Sequence, residues 1–79
     1  MDRAAYGRER RRLAALLRTL REEAGLRQID VAQALDVPQS FVSKYESGER
    51  RLDLVELREV CKALQTTVTR LVARLDSVP

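Results

Sequence analysis

The sequence contains no histidine and a single cysteine, Cys61. Catalytic nucleophiles and metal sites usually depend on these residue types or on an activating base. A catalytic site here would have to rest on aspartate, glutamate, serine or tyrosine alone. We therefore expect no catalytic residues, no metal site and no cofactor, and we predict that the chain is not an enzyme. Cys61 falls on the apolar side of a predicted helix, which favours a small core residue over a reactive thiol.

Long hydrophobic runs are also missing, since no apolar stretch approaches the roughly 20 residues needed to span a bilayer. No signal peptide is recognisable, and one cysteine cannot supply a disulfide framework. These absences predict a cytoplasmic protein without a membrane partner.

Glycine and proline are scarce, with three and two residues respectively among 79. The abundant residues are leucine, alanine, arginine, glutamate and valine, a composition that predicts an all-α fold. A chain of this length forms one domain and buries only roughly 60% of the surface that its unfolded form exposes, so its core is small.

The net charge of +3 is concentrated at the N-terminus. Residues 1–12 contain five arginines and two acidic residues, whereas residues 13–79 contain ten basic and ten acidic residues. The N-terminal segment is either a basic arm, whose contacts with phosphates would release counterions and strengthen binding, or a solvated helix end. The neutral balance of residues 13–79 is also compatible with a domain that does not bind DNA.

Hydrophobic periodicity predicts a first helix from about Arg8 to Ala24, with Gly7 as a plausible break before it and Gly25 as its left-handed C-terminal cap. Apolar patterns, turn residues and capping signals predict four more helices. The second and third helices are expected at residues 28–35 and 39–47. The fourth is expected at about 54–64, after an Asp53–Glu56 capping box and with Leu54 on its inward face. The fifth is expected from Val68, with Thr66 or Thr67 as its cap.

The second and third predicted helices form a helix-turn-helix. Ala32 is small enough for the close approach of two crossing helices. Asp36, Val37 and Pro38 form the turn, and Pro38 suits the start of a helix. Polar side chains are left on the outer face of the third helix: Gln39, Ser40, Ser43 and Lys44.

These polar side chains are the candidates for contact with DNA bases, because the N-terminal part of a recognition helix meets base edges. Gln39 can pair with adenine and Lys44 can donate to guanine, while Phe41 can pack on a thymine methyl group. The alternative is an ordinary solvated helix face, and Phe41 is equally well explained by partial core packing. Arg50 and Arg51 follow this helix and are either phosphate contacts or part of a solvated loop.

A set of residues in register carries a resemblance to a known family: Gly25-Leu26-x-Gln28, Val31-Ala32, Leu35, Val37, Val42-Ser43, Tyr45-Glu46 and Gly48. The chain resembles the Cro/C1-type (XRE) helix-turn-helix regulators. The resemblance covers residues 13–75 and implies a compact five-helix, lambda-repressor-like DNA-binding domain whose third helix enters the major groove. Residues 1–12 are then a basic N-terminal arm or helix extension, and residues 76–79 are a frayed C-terminus.

The resemblance also implies roles for individual residues. Gln28 would bind a phosphate, and Glu46 would pair with Arg21, orienting that arginine toward the DNA backbone. Arg27 stands where the family often has a serine N-cap, so it weakens the start of the helix but adds a positive charge near the phosphates.

The predicted partner is double-stranded DNA carrying a pseudo-palindromic operator, bound by a homodimer. We expect Leu71, Val72 or Leu75 of the fifth helix to be shared with a second copy, the alternative being closure of the monomer core alone. The predicted function is sequence-specific DNA binding by a transcriptional regulator, most simply a repressor. The alternatives are an antitoxin, with a toxin as protein partner, a restriction–modification controller, and a protein-interaction module that has lost DNA binding.

Overall fold

The computed structural model describes residues 1–77, which form five helices and no strand. The helices are α1 (Arg3–Glu23), α2 (Gln28–Leu35), α3 (Gln39–Glu46), α4 (Leu54–Ala63) and α5 (Val68–Asp76). This architecture confirms the predicted all-α, five-helix fold with a helix-turn-helix formed by α2 and α3. Within residues 1–77, no helix combines the length and the apolar character that crossing a membrane requires.

Helix α1 begins earlier than its apolar stripe suggested. Asp2 is its N-cap, with the carboxylate Oδ1 accepting from the backbone N–H groups of Ala4 at 3.0 Å and Ala5 at 3.3 Å. The predicted start at Arg8 and the predicted break at Gly7 are therefore wrong. An N-cap can contribute about 1 kcal/mol, which offsets the comparable cost of one glycine inside a helix.

The other helix boundaries follow local signals. Gly25 adopts φ +73° and ends α1 as predicted. The Asp53–Glu56 capping box opens α4, and the Thr67 hydroxyl accepts from the backbone of Arg70 at 3.1 Å to open α5. Helix α5 ends at Asp76 with Ser77 as its C-cap. Residues 78–79 of the predicted frayed C-terminus lie outside the described residues.

Asp30 compensates for the missing N-cap of α2. A guanidinium carries no hydrogen-bond acceptor, so Arg27 cannot satisfy the first N–H groups of the helix. Asp30 Oδ2 instead accepts from the backbone N–H of Arg27 at 2.8 Å, which supplies one half of a capping box. The start of α2 is thereby fixed from the third residue of the helix rather than from the position before it.

The core is built from residues of all five helices. Val31, Ala32 and Val42 have no exposed surface, and Cys61 is 1% exposed, as expected for a small core residue. Burial raises the pKa of the Cys61 thiol. Leu54 was expected on the inward face of α4 but is 65% exposed. It shares the angular position of Cys61 yet lies two turns earlier, at the exposed end of the helix.

Helix α5 packs against α1 and α4. Leu71 is 1% exposed, so it belongs to the core of the monomer, which corrects its assignment to a dimer interface. Val72, the next residue, is 44% exposed, and Leu75 is partly buried. Of the three predicted interface residues, only Val72 and Leu75 lie where a partner could reach them.

Candidate nucleic-acid interface

The turn between α2 and α3 holds the two helices at a fixed angle. Asp36 caps α2 in the left-handed conformation at φ +56°, and the backbone N–H of Val37 donates to the Ala32 carbonyl at 3.0 Å. Pro38 is the N-cap of α3, where its missing N–H costs nothing. On α3, Val42 and Tyr45 face inward and are buried.

The opposite face of α3 carries the predicted base-contacting residues. Gln39, Ser40 and Lys44 are exposed, and Ser43 is partly buried with its hydroxyl 3.4 Å from the Ser40 carbonyl oxygen. The structure therefore brings these side chains together on one surface of a single helix. Between them they offer amide, hydroxyl and ammonium groups, which are the groups that hydrogen-bond to base edges in the major groove.

Phe41 lies at the border of this face. It is partly buried and packs on the core, with its ring 5.9 Å from that of Tyr45 in an edge-to-face arrangement. Leu35, Val37 and Val55 flank it in a shallow apolar groove. The structure thus shows the partial core packing that was one of the two interpretations of Phe41. The side chain is not fully buried, and a part of it remains at the surface.

Gln28 links the beginning of α2 to both ends of α3. Its side-chain Nε2 donates to Glu46 Oε1 at 3.0 Å, and its Oε1 lies 3.5 Å from Gln39 Nε2. The orientation of the Gln28 amide follows from chemistry, because an ionised carboxylate only accepts hydrogen bonds and the NH₂ group must face Glu46. The Gln28 carbonyl is thus turned toward Gln39, the first residue of α3.

Arg21 and Glu46 form a buried ion pair, in the arrangement that the resemblance implied. Arg21 Nε donates to Glu46 Oε2 at 2.7 Å and Nη2 donates to Oε1 at 3.1 Å, while Nη1 donates to the Leu26 carbonyl at 2.9 Å. The hydrogen bonds to Glu46 raise the pKa of the Arg21 guanidinium in spite of its burial. With 9% of its surface exposed, Arg21 is a structural residue, and its placement does not support the predicted phosphate contact.

Arg27 and Arg50 are both held by carboxylates. Arg27 Nη2 lies 2.9 Å from Asp30 Oδ1, and this side chain is 77% exposed. The hydrogen bonds from Arg27 lower the pKa of Asp30. Arg50 Nη2 lies 2.6 Å from Glu56 Oε2. Arg51 is exposed and forms no ion pair within the described part of the chain.

Sequence reasoning missed the engagement of two N-terminal arginines. Arg10 Nη2 donates to the Gly48 carbonyl at 3.1 Å, just beyond α3, and Arg12 Nη2 donates to the Leu75 carbonyl at 2.7 Å. Arg10 lies three residues before Leu13 and therefore on the apolar face of α1. This position was the sequence signal that could have indicated a contact with the protein. The remaining arginines of this segment are exposed: Arg3, Arg8 and Arg11.

Comparison with known proteins identifies the fold and the family. A family model for a helix-turn-helix domain matches residues 12–75. A search among curated proteins found no match. Among solved structures, an XRE-family like protein from Pseudomonas syringae pv. tomato str. DC3000 is 36% identical with a TM-score of 0.87, and the match covers 94% of this chain and 90% of that one.

Two further structures share the fold. The clp gene regulator ClgR from C. glutamicum is 28% identical with a TM-score of 0.79, over 86% of this chain and 87% of that one. The restriction–modification controller protein C.Esp1396I, in a tetramer bound to its natural 35 base-pair operator, has a TM-score of 0.80. It is 20% identical over 86% of this chain and 90% of that one, so it shows the fold alone. With the family model matched over residues 12–75, the chain belongs to the XRE-type helix-turn-helix family of DNA-binding transcriptional regulators.

Proposed function

We propose that the chain is a cytoplasmic, homodimeric repressor that binds a pseudo-palindromic operator in double-stranded DNA, with α3 in the major groove. The observation that carries the proposal is the outer face of α3, where hydrogen-bonding side chains are exposed on a helix whose two ends are fixed through Gln28 and Glu46. A helix that is already held in place needs less ordering of its backbone when it binds, which favours base recognition.

Each exposed residue of α3 has a chemical role in this proposal. Gln39 pairs with an adenine, and Lys44 donates to guanine O6 and N7. Ser40 and Ser43 donate to or accept from a base edge or a phosphate. Phe41 contacts the C5 methyl group of a thymine through the part of its ring that remains at the surface.

Phosphate contacts come from the edges of this surface. Gln28 hydrogen-bonds to both ends of α3, and Arg51 follows α3 in the sequence; both are exposed or partly exposed. Arg27 precedes Gln28 and is 77% exposed, although it is paired with Asp30. The exposed arginines at the beginning of α1 add positive charge: Arg3, Arg8 and Arg11. Each phosphate that is neutralised releases counterions, so this set supplies the salt-dependent part of the affinity.

The acidic groups of the helix-turn-helix do not oppose this binding as strongly as their number suggests. Residues 28–48 contain Asp30, Asp36 and Glu46 against Lys44 alone. Asp30 is paired with Arg27 and Glu46 with Arg21, both from outside this stretch. The local charge that phosphates meet is therefore less negative than the charge of the stretch taken alone.

A homodimer requires a surface that remains apolar and accessible on the folded monomer. Val72 is 44% exposed on α5, and Leu75 lies one turn further along the same helix. A two-fold dimer through this face would present two copies of α3 to half-sites about 34 Å apart. An antitoxin or a restriction–modification controller of the same fold would use the same DNA surface, and the antitoxin would add a toxin as partner.

Selection of binding sites from random DNA duplexes tests the proposal. The expected result is one enriched pseudo-palindrome with half-sites about 10 base pairs apart, or a multiple of that spacing. A domain that only binds other proteins would enrich no sequence, and its weak DNA binding would lack a steep dependence on salt. That outcome would replace the proposed function with a protein-interaction role.

A further inference from the structure

Arg50 makes three contacts that tie it to the protein itself. Its guanidinium carbon lies 4.4 Å from the centre of the Phe41 ring, and its Nη2 lies 2.6 Å from Glu56 Oε2. Its backbone N–H donates to the Lys44 carbonyl at 3.1 Å. The side chain thus spans from the recognition helix α3 to the first turn of α4, where Glu56 also accepts from the backbone N–H of Asp53 at 2.9 Å.

The Arg50 guanidinium is already partly engaged within the protein, unlike that of an arginine kept free for a phosphate. Arginine binds phosphate through two parallel N–H groups presented outward. The guanidinium carbon of Arg50 lies over the Phe41 ring, and one guanidinium N–H donates to Glu56. Arg50 and Arg51 are both exposed, but Arg50 is paired with Glu56, whereas Arg51 has no ion pair among residues 1–77.

Phe41 is the side chain whose orientation depends on this arrangement. Phe41 packs against the core and makes an edge-to-face contact with Tyr45, and the guanidinium carbon of Arg50 lies over its ring. The attraction between a cation and an aromatic face favours this stacked position, and the ion pair to Glu56 keeps the guanidinium in place. Contacts with both Tyr45 and Arg50 restrict the orientation of the Phe41 ring.

We infer that Arg50 is a positioning residue for Phe41: it fixes the aromatic ring against a thymine methyl group and so determines the preference for thymine at one operator position, rather than binding phosphate. The inference rests on the proposed DNA-binding function and offers an alternative to the expectation that Arg50 is a phosphate contact. Glu56 belongs to the same arrangement because it holds the guanidinium from α4.

The experiment replaces thymidine by deoxyuridine, one position at a time, in the duplex obtained by selection. Deoxyuridine lacks only the C5 methyl group. For the wild-type chain, one position in each half-site is expected to lose about four-fold in affinity, which corresponds to the burial of one methyl group. Phe41→Ala is expected to abolish the difference at that position alone.

Arg50→Lys and Arg51→Lys are a matched pair, since both keep the charge and both remove the planar guanidinium. Arg50→Lys is expected to bring the ratio of the affinities for the thymidine and deoxyuridine duplexes close to one. The reason is that lysine cannot contact Phe41 and Glu56 in the same geometry. Arg51→Lys is expected to keep the wild-type ratio. The inference is overturned if Arg50→Lys also keeps that ratio.

Arg50→Gln and Arg51→Gln distinguish positioning from phosphate binding. If Arg50 binds a phosphate, both variants lose affinity equally on both duplexes, and both lower the salt slope by about 0.9. That result overturns the inference and leaves the proposed function intact. A failed selection would overturn the proposed function itself, and the inference with it.

A double-mutant cycle measured without DNA tests the contact between Phe41 and Arg50 independently. Urea unfolding midpoints are measured for Phe41→Ala, Arg50→Gln and the double variant. The second substitution is expected to have less effect in the presence of the first, because the two side chains support each other. Fully additive shifts would mean that Arg50 does not hold Phe41 in solution, which overturns the inference whatever the DNA measurements give.

Discussion

Gln28 Nε2 donates a hydrogen bond to Glu46 Oε1 at 3.0 Å, which ties the first residue of α2 to the last residue of α3. The same carboxylate accepts from Arg21 of α1. One buried acidic group therefore holds three helices in a fixed relation, and the exposed face of α3 is oriented as a consequence. Glu46 therefore contributes both to the stability of the fold and to the orientation of the exposed face of α3.

Glu46→Gln is expected to lower the free energy of unfolding by about 3 kcal/mol, because the Arg21 guanidinium would remain buried without its countercharge. The urea midpoint measures this change. Glu49→Gln, at an exposed position three residues later, is the control and should leave the midpoint nearly unchanged. Equal small shifts for both variants would mean that the Arg21–Glu46 pair does not contribute to stability.

Lys44→Ala is expected to relax the preference for one base pair in each half-site and to cost about 1–3 kcal/mol on the preferred site. Binding to the selected duplex and to duplexes changed at single positions measures the effect. Lys62→Ala removes an equal charge from an exposed position on α4 and serves as the control. An equal loss on specific and random DNA would assign Lys44 to phosphate binding instead.

Simultaneous Arg3→Gln, Arg8→Gln and Arg11→Gln substitutions are expected to weaken binding to all sequences and to lower the salt slope by up to about 2.7, since each phosphate contact contributes about 0.9. Stability should change little, because these side chains are exposed. Titrations at several salt concentrations measure the slope. An unchanged slope would move this segment to a role in folding or in binding a partner protein.

Arg10→Gln with Arg12→Gln removes two charges from the same segment and is expected to act differently. These arginines donate to the Gly48 and Leu75 carbonyls, so their loss should lower the urea midpoint. The salt slope should change less than with the exposed arginines. If the urea midpoint stays the same and the salt slope falls as much per removed charge as it does for Arg3, Arg8 and Arg11, then Arg10 and Arg12 bind phosphates rather than the protein.

Val72→Asp is expected to convert a dimer to a monomer without loss of monomer stability, because Val72 is 44% exposed and would face the partner. Sedimentation equilibrium measures the oligomeric state. Val55→Asp, at a position that is 68% exposed on α4, is the control and should leave the dimer intact. Leu71→Ala should instead cost about 2–5 kcal/mol of stability, as a core truncation does.

The parts of the fold that local sequence determines were predicted well. The boundaries of α2, Gln28–Leu35, follow from an apolar pattern flanked by a turn with Pro38, and the caps at Asp53 and Thr67 follow from side chains that act within three residues. The start of α1 was missed although its cause is also local. Asp2 caps the helix, but the first two turns carry no apolar stripe that would have marked them as helical.

The contacts that sequence alone could not give are those between residues far apart in the chain. Arg10 is 38 residues from Gly48, and Arg12 is 63 residues from Leu75, so no spacing rule connects them. The stacking of Arg50 on Phe41 likewise depends on the path of the loop after α3. Most faces of the helices could be predicted, whereas the partners of Arg10, Arg12 and Arg50 depend on how the helices are assembled.

The most direct test of sequence-specific binding compares two dissociation constants at one salt concentration. One is for the selected duplex, and the other is for a duplex of the same length and composition with the order of bases scrambled. Specific recognition through α3 predicts tighter binding to the selected duplex by a factor of about 1,000 or more. Equal dissociation constants would contradict the account, because the exposed face of α3 would then not read DNA bases.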